Sequence, residues 1–425
     1  MIYNILDYGA IADGVTVNSA AIQAAIDACS ENGGGRVLVP AGKFVTGTLW
    51  LKSHVELHLE QGAELIASTD LADYNENDAY PQNFWSKEEE WNGKHLVIAH
   101  EITDVSITGY GTINGSGDAF FDDPYPIFYY CWDEGIQVAR DKVNLRPGQL
   151  ICFIESSHIR VEGITIRNSP CWCCFFHGCD YVGVRGIKVF NAHTAGNTDG
   201  IDIDSSSHVT VSDSIIDTGD DAIAVRCNPG KLKNNTKVCE YITITNCVCS
   251  AYSAGVRIGV GNGLLRYLSI SNMVFSHAAN LINLGLSYNN NSASNLEHIS
   301  ISNIRADYTN RVVTIHGKKG TLRDLVMENV IANATAGCDL IAPENGFARE
   351  LTFRNIKIHY KNKYTPEEMT DAILAERKSI LFHVKGVPGL ELQSVKLTME
   401  PGEEATWQGR VVVEDCPDAI LQDVR

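Results

Sequence analysis

The feature that most constrains the fold of this chain is a short alternating run of apolar and polar residues that recurs along most of its length. Through the middle of the chain, successive runs begin about 23–33 residues apart. A run of this length cannot bury its apolar side alone, so stacked coils must supply the core. The repeat therefore predicts a parallel β-helix. The runs lie at residues 104–107, 158–161, 181–184, 208–211, 241–244, 267–270, 298–301, 350–353 and 389–392.

Asparagine follows several of these runs, as at Asn168, Asn272 and Asn303. Asn tolerates the left-handed backbone conformation that turns require, so these residues predict corners between strands. We also expect their amides to form an internal ladder with a structural role. The alternative architecture is a leucine-rich horseshoe, which needs regularly placed Leu residues at a repeat of about 20–29 residues. Because β-branched residues dominate the runs, the β-helix is favoured.

Before the coils, residues 18–29 carry apolar side chains at helical spacing, with Asn18 or Ser19 as the N-cap. This pattern predicts an amphipathic helix, ended by three glycines at 33–35, that covers the open end of the solenoid. No linker is evident, so we predict one all-β domain over residues 1–425. Its parts are the cap and first coils (1–66), a loop-rich insertion (67–150), central coils with the active site (151–360), an inserted helix (361–380) and final coils (381–425).

Two of these parts carry further signals. Thr365-Pro366-Glu367-Glu368 has the form of a capping box, which predicts that the inserted helix continues to about Lys378. The loop-rich insertion contains aromatic residues that are candidates for stacking on sugar rings, although loop packing explains each of them as well. Pro124 lies among them, and the aromatic residues are Trp85, Trp91, Tyr125, Tyr129, Tyr130 and Trp132.

Composition excludes several classes of protein. With 34 Lys and Arg against 52 Asp and Glu, the net charge of −18 argues against nucleic acid or an anionic membrane as a partner. No apolar run reaches the roughly 18 residues of a membrane span, and the first residues lack the pattern of a signal peptide. The thirteen cysteines, an odd number, predict buried thiols in a reducing compartment. We therefore expect a cytoplasmic protein with no metal or organic cofactor, and the oligomeric state stays open.

The candidate chemistry lies in two acidic motifs, Asn-Thr-Asp at 197–199 and Gly-Asp-Asp at 219–221. Because their spacing is close to one coil, neighbouring strands about 4.8 Å apart bring Asp199, Asp220 and Asp221 to one outer face. Such carboxylates can reach the roughly 6.5–9.5 Å separation of inverting glycosidases, and their repulsion favours one protonated acid beside one ionised base. The alternative is that these residues are turn residues and caps.

These motifs, together with the N-terminal region, resemble glycoside hydrolase family 28, the polygalacturonase group of right-handed parallel β-helix enzymes. The resemblance implies that Asp220 is the general acid, that Asp199 and Asp221 activate the attacking water, and that the anomeric centre is inverted. It also implies that Asn197 orients the site or the sugar. Since adjacent residues of a regular strand face opposite ways, Gly219 must bend the chain. The N-terminal matches are at 7–10, 12–14, 33–35, 39–42 and 47–49.

Two departures from the family pattern bear on the substrate. The stretch 252–259 corresponds to the family's Gly-His-Gly motif, and Ser253 stands where the catalytic His is expected. The stretch 281–285 corresponds to the Arg-Ile-Lys motif that holds a galacturonate carboxylate, and Asn283 leaves it without a cation. A buried carboxylate without a cation costs several kcal/mol, so we expect a neutral sugar at this subsite. Rhamnogalacturonan hydrolases of the family also lack the His.

Other substrate contacts are less well specified by the sequence. Arg226, five residues after Asp221, is the best candidate for contacting an acidic sugar, with an exposed strand position as the alternative. His177, His193 and Arg257 are weaker candidates, since packing or surface positions explain each of them. None of these residues lies in a metal-binding pattern.

The sequence thus predicts an inverting glycoside hydrolase that acts on a pectin-type oligosaccharide other than plain polygalacturonate. A calcium-dependent lyase is a lesser alternative, because clustered Asp oxygens suit that ion, yet neither motif contains a basic residue to act as the lyase base. The alternative from another class is a catalytically silent carbohydrate-binding β-helix, such as an adhesin or tailspike-like protein. The missing His, Arg and Lys favour that alternative, whereas the three Asp residues oppose it.

Overall fold

A computed structural model describes residues 1–76, 93–121, 146–288, 292–361, 380–402 and 407–425. The helix predicted within 361–380 and the aromatic residues between Trp85 and Trp132 lie outside these residues. Backbone packing divides the chain into two compact units. Of the described residues, the first unit holds 1–76, 93–121, 146–220 and 230–237, and the second holds the rest. The expectation of a single domain stays a prediction.

The first unit is built from short parallel strands, three to each complete coil. One stack joins β11, β14 and β17, a second joins β12, β15 and β18, and a third joins β13, β16 and β19. Its strands are β1 (Ile2–Asn4), β2 (Asp13–Val17), β3 (Gly35–Val39), β4 (Gly42–Thr46), β5 (Leu49–Trp50), β6 (Val55–Leu59), β7 (Ala63–Ala67), β8 (Val97–His100), β9 (Thr103–Gly109), β10 (Thr112–Asn114), β11 (Ile151–Ile154), β12 (Ser157–Glu162), β13 (Thr165–Arg167), β14 (Cys174–His177), β15 (Asp180–Arg185), β16 (Lys188–Phe190), β17 (Ile201–Asp204), β18 (Ser207–Ser212) and β19 (Ile215–Thr218).

In-register stacking of apolar side chains forms the core of this unit. Ile159 of β12 pairs with Val182 of β15, which pairs with Val209 of β18, and all three side chains are buried. Each such burial stabilises the fold by about 1.5–3 kcal/mol. The region 67–150, predicted to be loop-rich, also contributes a coil made of β8, β9 and β10.

The predicted N-terminal helix is present as α1 (Ser19–Glu31). Its buried face, formed by Ile22, Ala25, Ile26 and Cys29, packs near β1, β3, β5 and β6. The side chain of Asn18 does not cap the helix but accepts a hydrogen bond from the Ile11 amide instead. The role of α1 as a lid stays a prediction. Short 3-10 helices span Ile5–Tyr8, Leu71–Asp73, Gly117–Ala119 and Pro229–Lys231.

The second unit continues the same pattern with longer strands that run through the corners. Leu265 of β23 pairs with Leu296 of β24, and Ile299 of β24 pairs with Leu325 of β25, so one coil takes the number of residues that the sequence predicts. Its strands are β20 (Ile223–Cys227), β21 (Cys239–Thr245), β22 (Val248–Gly261), β23 (Leu264–Gly285), β24 (Asn295–His316), β25 (Lys319–Ala334), β26 (Cys338–Ile341), β27 (Asn345–Tyr360), β28 (Ile380–Lys385), β29 (Glu391–Met399), β30 (Gly409–Glu414) and β31 (Ile420–Val424).

The asparagine ladder exists in this unit, but its position differs from the expected one. Asn272 donates to the side chain of Asn246 at 3.3 Å, and Asn303 donates to Asn272 at 3.1 Å. Both residues have left-handed backbone angles, as predicted for corners. The ladder is exposed, not internal, because the corner points these side chains away from the core.

Candidate active site

In the first unit, Asp199 and Asp220 come together. Asp199 lies just before β17, and Asp220 lies just after β19. One carboxylate oxygen of each residue lies within 4.8 Å of the other, and their exposed fractions are 1% and 4%. The separation of roughly 6.5–9.5 Å in an inverting enzyme refers to whole carboxyl groups and stays a prediction for this pair. Two buried carboxylates with oxygens this close favour holding one proton between them.

The backbone between β19 and β20 is bent, as the two-carboxylate motif requires. Residues 219 and 220 form a bend outside both strands, so the alternation of a regular strand does not apply to Asp220. Gly219 is needed there because a Cβ atom would come within 2.3 Å of the Ala195 carbonyl oxygen and 2.4 Å of that of Ala192. The loop before β17 therefore packs directly against this bend.

Asn197 contributes through its backbone as well as its side chain. It adopts a left-handed conformation at φ 56°, and its amide donates to Asp220 Oδ2 at 2.7 Å. The neighbouring Thr198 hydroxyl donates to the Ala195 carbonyl at 2.6 Å and accepts from the Gly219 amide at 3.2 Å. The Asn-Thr-Asp motif thus holds the acidic bend in place through its local hydrogen bonds.

Arg146 is a residue that the sequence analysis missed. Its exposed fraction is 2%, and its guanidinium donates to the carbonyls of Pro170 at 3.1 Å and Gly196 at 3.0 Å. It also donates to Asn197 Oδ1 at 2.9 Å. Fifty-one positions separate Arg146 from Asn197, and no repeat or motif includes Arg146, so the sequence carries no signal for this contact.

Asp221, the next residue in the chain, belongs to the second unit and has cationic neighbours there. Arg257 donates to both of its carboxylate oxygens, with Nη2 at 2.9 Å from Oδ1, and the Ala254 amide donates to Oδ1 at 2.8 Å. Burial alone would raise the pKa of Asp221, but Arg257, with a smaller contribution from Arg226, holds that pKa below its usual range. Ser253 accepts a hydrogen bond from Arg257 Nη2 at 3.0 Å.

A row of polar residues faces outward on successive coils of this unit. Arg257 of β22 pairs in register with Asn283 of β23, which pairs with Thr314 of β24. The side chains on either side of Asn283, Ile282 and Leu284, are fully buried and face the core. Asn283 is only 8% exposed, and its Oδ1 atom has no hydrogen-bond partner among the residues that the structure describes.

The remaining candidates lie in different surroundings. Arg226 is buried within β20, so the alternative of an exposed strand position is wrong. His177 is fully buried, with Nε2 3.9 Å from Asp204 Oδ1. His193 is partly exposed, and its hydrogen bond with Asp217 at 2.6 Å raises the pKa of the imidazole. His193 is therefore engaged on the surface of the first unit.

A buried thiol and a second cluster of possible metal ligands lie elsewhere in the first unit. Burial raises the pKa of the Cys173 thiol to about 12, which suppresses the thiolate needed for nucleophilic attack. His100, Glu101 and Glu155 of the first unit offer atoms within 4.8 Å of one another and could supply ligands to a cation. Glu101 is already paired with Lys233, however, and partly exposed acidic groups of this kind are common without an ion.

Along the residues described above, no helix is long and apolar enough to cross a membrane.

Comparison with known proteins gives a consistent set of relatives. The model of the family "Glycosyl hydrolases family 28" matches residues 29–373. A probable polygalacturonase of Vitis vinifera is 31% identical over 229 residues, which are 52% of this chain and 44% of the relative. An exo-poly-alpha-D-galacturonosidase of Dickeya chrysanthemi is 31% identical over 263 residues, which are 54% of this chain and 42% of the relative. The matched part thus spans less than half the length of either protein.

Among solved structures, a family 28 exopolygalacturonase of Yersinia enterocolitica superimposes with a TM-score of 0.73. The superposition covers 99% of this chain and 78% of that protein, at 19% sequence identity. This likeness shows the fold, a right-handed parallel β-helix, as the sequence predicts. The right-handed connection is also the one that parallel strands with crossovers nearly always adopt.

Proposed function

This chain belongs to glycosyl hydrolase family 28, and we propose that it cleaves a pectin-type oligosaccharide with inversion at the anomeric carbon. The observation that carries the proposal is the buried pair of Asp199 and Asp220, with oxygens within 4.8 Å in the motifs that carry the family resemblance. Glycoside hydrolysis requires one carboxylic acid and one carboxylate at the scissile bond. The pair supplies both states when it holds a single proton.

In the proposed reaction, Asp220 gives its proton to the glycosidic oxygen as the bond from that oxygen to the anomeric carbon breaks. A water molecule activated by the carboxylates of Asp199 and Asp221 attacks the opposite face of the same carbon, and one of these two carboxylates accepts its proton. The products are a reducing sugar and the released hydroxyl group of the next sugar. Proton exchange with solvent then restores the acid, so no cofactor is consumed.

We propose further that the substrate carries a neutral sugar at the subsite that contains Asn283. The amide of Asn283 can donate and accept hydrogen bonds but carries no charge. Its Oδ1, which has no partner within the described part of the chain, suits a sugar hydroxyl. Arg257, next to it in the row, already pairs with Asp221. Among the residues of this row, a galacturonate carboxylate would therefore lack a cation of its own, which disfavours its binding.

Product analysis tests the activity. The parent and Asp220→Asn are incubated with oligogalacturonates, rhamnogalacturonan oligosaccharides and neutral pectic oligosaccharides, and released sugars are quantified. We expect turnover by the parent on a substrate with a neutral residue and a loss of about 100-fold or more in the variant, because proton transfer to the leaving oxygen is removed. Equal, background-level turnover by both proteins across the panel favours the carbohydrate-binding alternative.

The stereochemistry provides a second test. NMR of the first anomer released should show inversion. Net retention would refute the water-activating roles of Asp199 and Asp221.

The choice of sugar is tested by changing the subsite. Asn283→Lys adds a cation to the row and should raise kcat/KM for oligogalacturonate relative to the neutral substrate by about tenfold, since an opposite charge offsets the desolvation of the carboxylate. Ser302→Lys adds the same charge on the neighbouring strand β24, outside the polar row, and serves as the control. A parent enzyme that prefers plain oligogalacturonate, or an unchanged ratio in Asn283→Lys, contradicts the proposed neutral subsite.

A further inference from the structure

Arg257 makes a bidentate contact with Asp221 that has no part in the reaction outlined above. Its side chain is 17% exposed, and the guanidinium lies against the carboxylate of Asp221 with Nε facing Oδ2 and Nη2 facing Oδ1. Nη2 also donates to Ser253, four residues earlier in the same strand. Paired donors in a fixed plane match the geometry of a carboxylate and restrict its rotation.

The surroundings of Asp221 strengthen this restriction. The Ala254 amide donates to Oδ1 at 2.8 Å, so three donors of the second unit hold the two oxygens. Asp221 itself is 1% exposed. In the parallel register, Arg257 of β22 pairs with Ala224 of β20, and Asp221 lies two residues before β20 begins. Backbone pairing between β20 and β22 therefore helps to hold the two side chains of the contact together.

We propose that Arg257 is the positioning residue of Asp221, fixing the plane of its carboxylate and keeping it as the anion that assists the attacking water. This inference rests on the proposed hydrolase function. It assigns Arg257 an action through Asp221 and not through the sugar. It also separates the roles of the two adjacent acids, because an anion held by an arginine does not act as the proton donor.

The electrostatics of the second unit agree with this role. Burial alone would favour the neutral form of Asp221, but Arg257 and then Arg226 reverse that preference and lower its pKa. Burial, followed by the charge of Arg257, lowers the pKa of the His316 imidazole. His316 is therefore biased toward its neutral form.

Substitution of Arg257 tests the proposal through the pH profile. In Arg257→Gln, kcat should fall by about 10- to 100-fold with a smaller change in KM, the effect of losing hydrogen bonds to a charged group. The acid limb of the kcat/KM profile should move to higher pH, as Asp221 regains the tendency to hold a proton. Arg257→Lys should recover part of the shift, because it restores the charge but not the paired donors.

A matched control is Arg266→Gln, which removes an arginine of β23 from its ion pair with Glu240 of β21. It should leave kcat and the acid limb unchanged. If Arg257→Gln is folded and its acid limb coincides with that of the parent, Arg257 has only a structural role and the proposal is overturned.

A second measurement does not depend on activity and separates this inference from the proposed function. Thermal unfolding of Asp221→Asn, Arg257→Gln and the double variant forms a cycle at pH 7 and at pH 3. We expect the two substitutions to be strongly non-additive at pH 7 and less so at pH 3, because the stability given by the ion pair decreases below the ordinary pKa of Asp and is lost as the pH falls through the lowered folded-state pKa. Additive effects at both values would overturn the pairing. A parent that is inactive on every substrate, with coupling intact, would instead overturn the hydrolase function.

Discussion

Arg146 offers the sharpest test of how the acidic bend is held. Replacing it with alanine removes three hydrogen bonds, at 3.1, 3.0 and 2.9 Å, from acceptors on Pro170, Gly196 and Asn197. Hydrogen bonds to a charged group contribute about 1.5–3 kcal/mol each, and buried acceptors left unpaired add a cost. The three bonds share one guanidinium and are not additive, so we expect Arg146→Ala to lower the free energy of unfolding by about 3–5 kcal/mol.

The assay is urea denaturation followed by far-UV circular dichroism, with kcat measured on the preferred substrate. The activity should fall as well, because Asn197 donates its amide to Asp220. The matched control is Arg185→Ala, which removes an exposed arginine paired with Asp213 at 3.3 Å and should cost less than about 0.5 kcal/mol. A loss below about 1 kcal/mol for Arg146→Ala, equal to that of the control, would refute the argument.

Three further predictions concern single groups of the first unit. Gly219→Ala should destabilise the protein by about 1–3 kcal/mol in thermal unfolding, because the new Cβ meets carbonyl oxygens, whereas Gly230→Ala meets no atom and should be neutral. Asp217→Asn should lower the pKa of His193 toward its ordinary value in an NMR titration. The raised pKa means that protonated His193 stabilises the fold below its ordinary pKa, and this stability is lost as the pH rises through the folded-state pKa. Cys173 should resist a thiol reagent at pH 8 until the protein is unfolded, and rapid labelling of the native protein would contradict its burial.

The sequence was sufficient for the fold because a solenoid depends on local patterns that repeat. The run at 208–211 appears as β18, and His208 at its start has the left-handed angle of a corner. The side chains of Val209 and Val211 face the core, as alternation predicts. Spacing by one coil also sufficed to bring Asp199 near Asp220, since parallel strands convert a repeat length into a neighbour relation.

The exposure of individual positions was less predictable. The ladder of Asn272 and Asn303 was expected inside the coil but lies on the exposed corner. The sequence left an exposed strand position as an alternative for Arg226, whereas the structure buries this residue. Alternation tells which face of a strand a side chain occupies, but not which loops or side chains cover that face. Burial of outward-facing residues therefore depends on the tertiary structure.

By itself, the sequence determined the parallel coils, the N-terminal helix and the positions of the acidic motifs, because each follows from residue spacing along one strand or between successive coils. Only the tertiary structure decided which cations meet those motifs. Arg257 lies 36 positions from Asp221, and Arg146 lies 51 positions from Asn197. Neither contact follows from a repeat. Whether a long side chain meets its partner depends on the course of the backbone and on the space that neighbouring side chains leave.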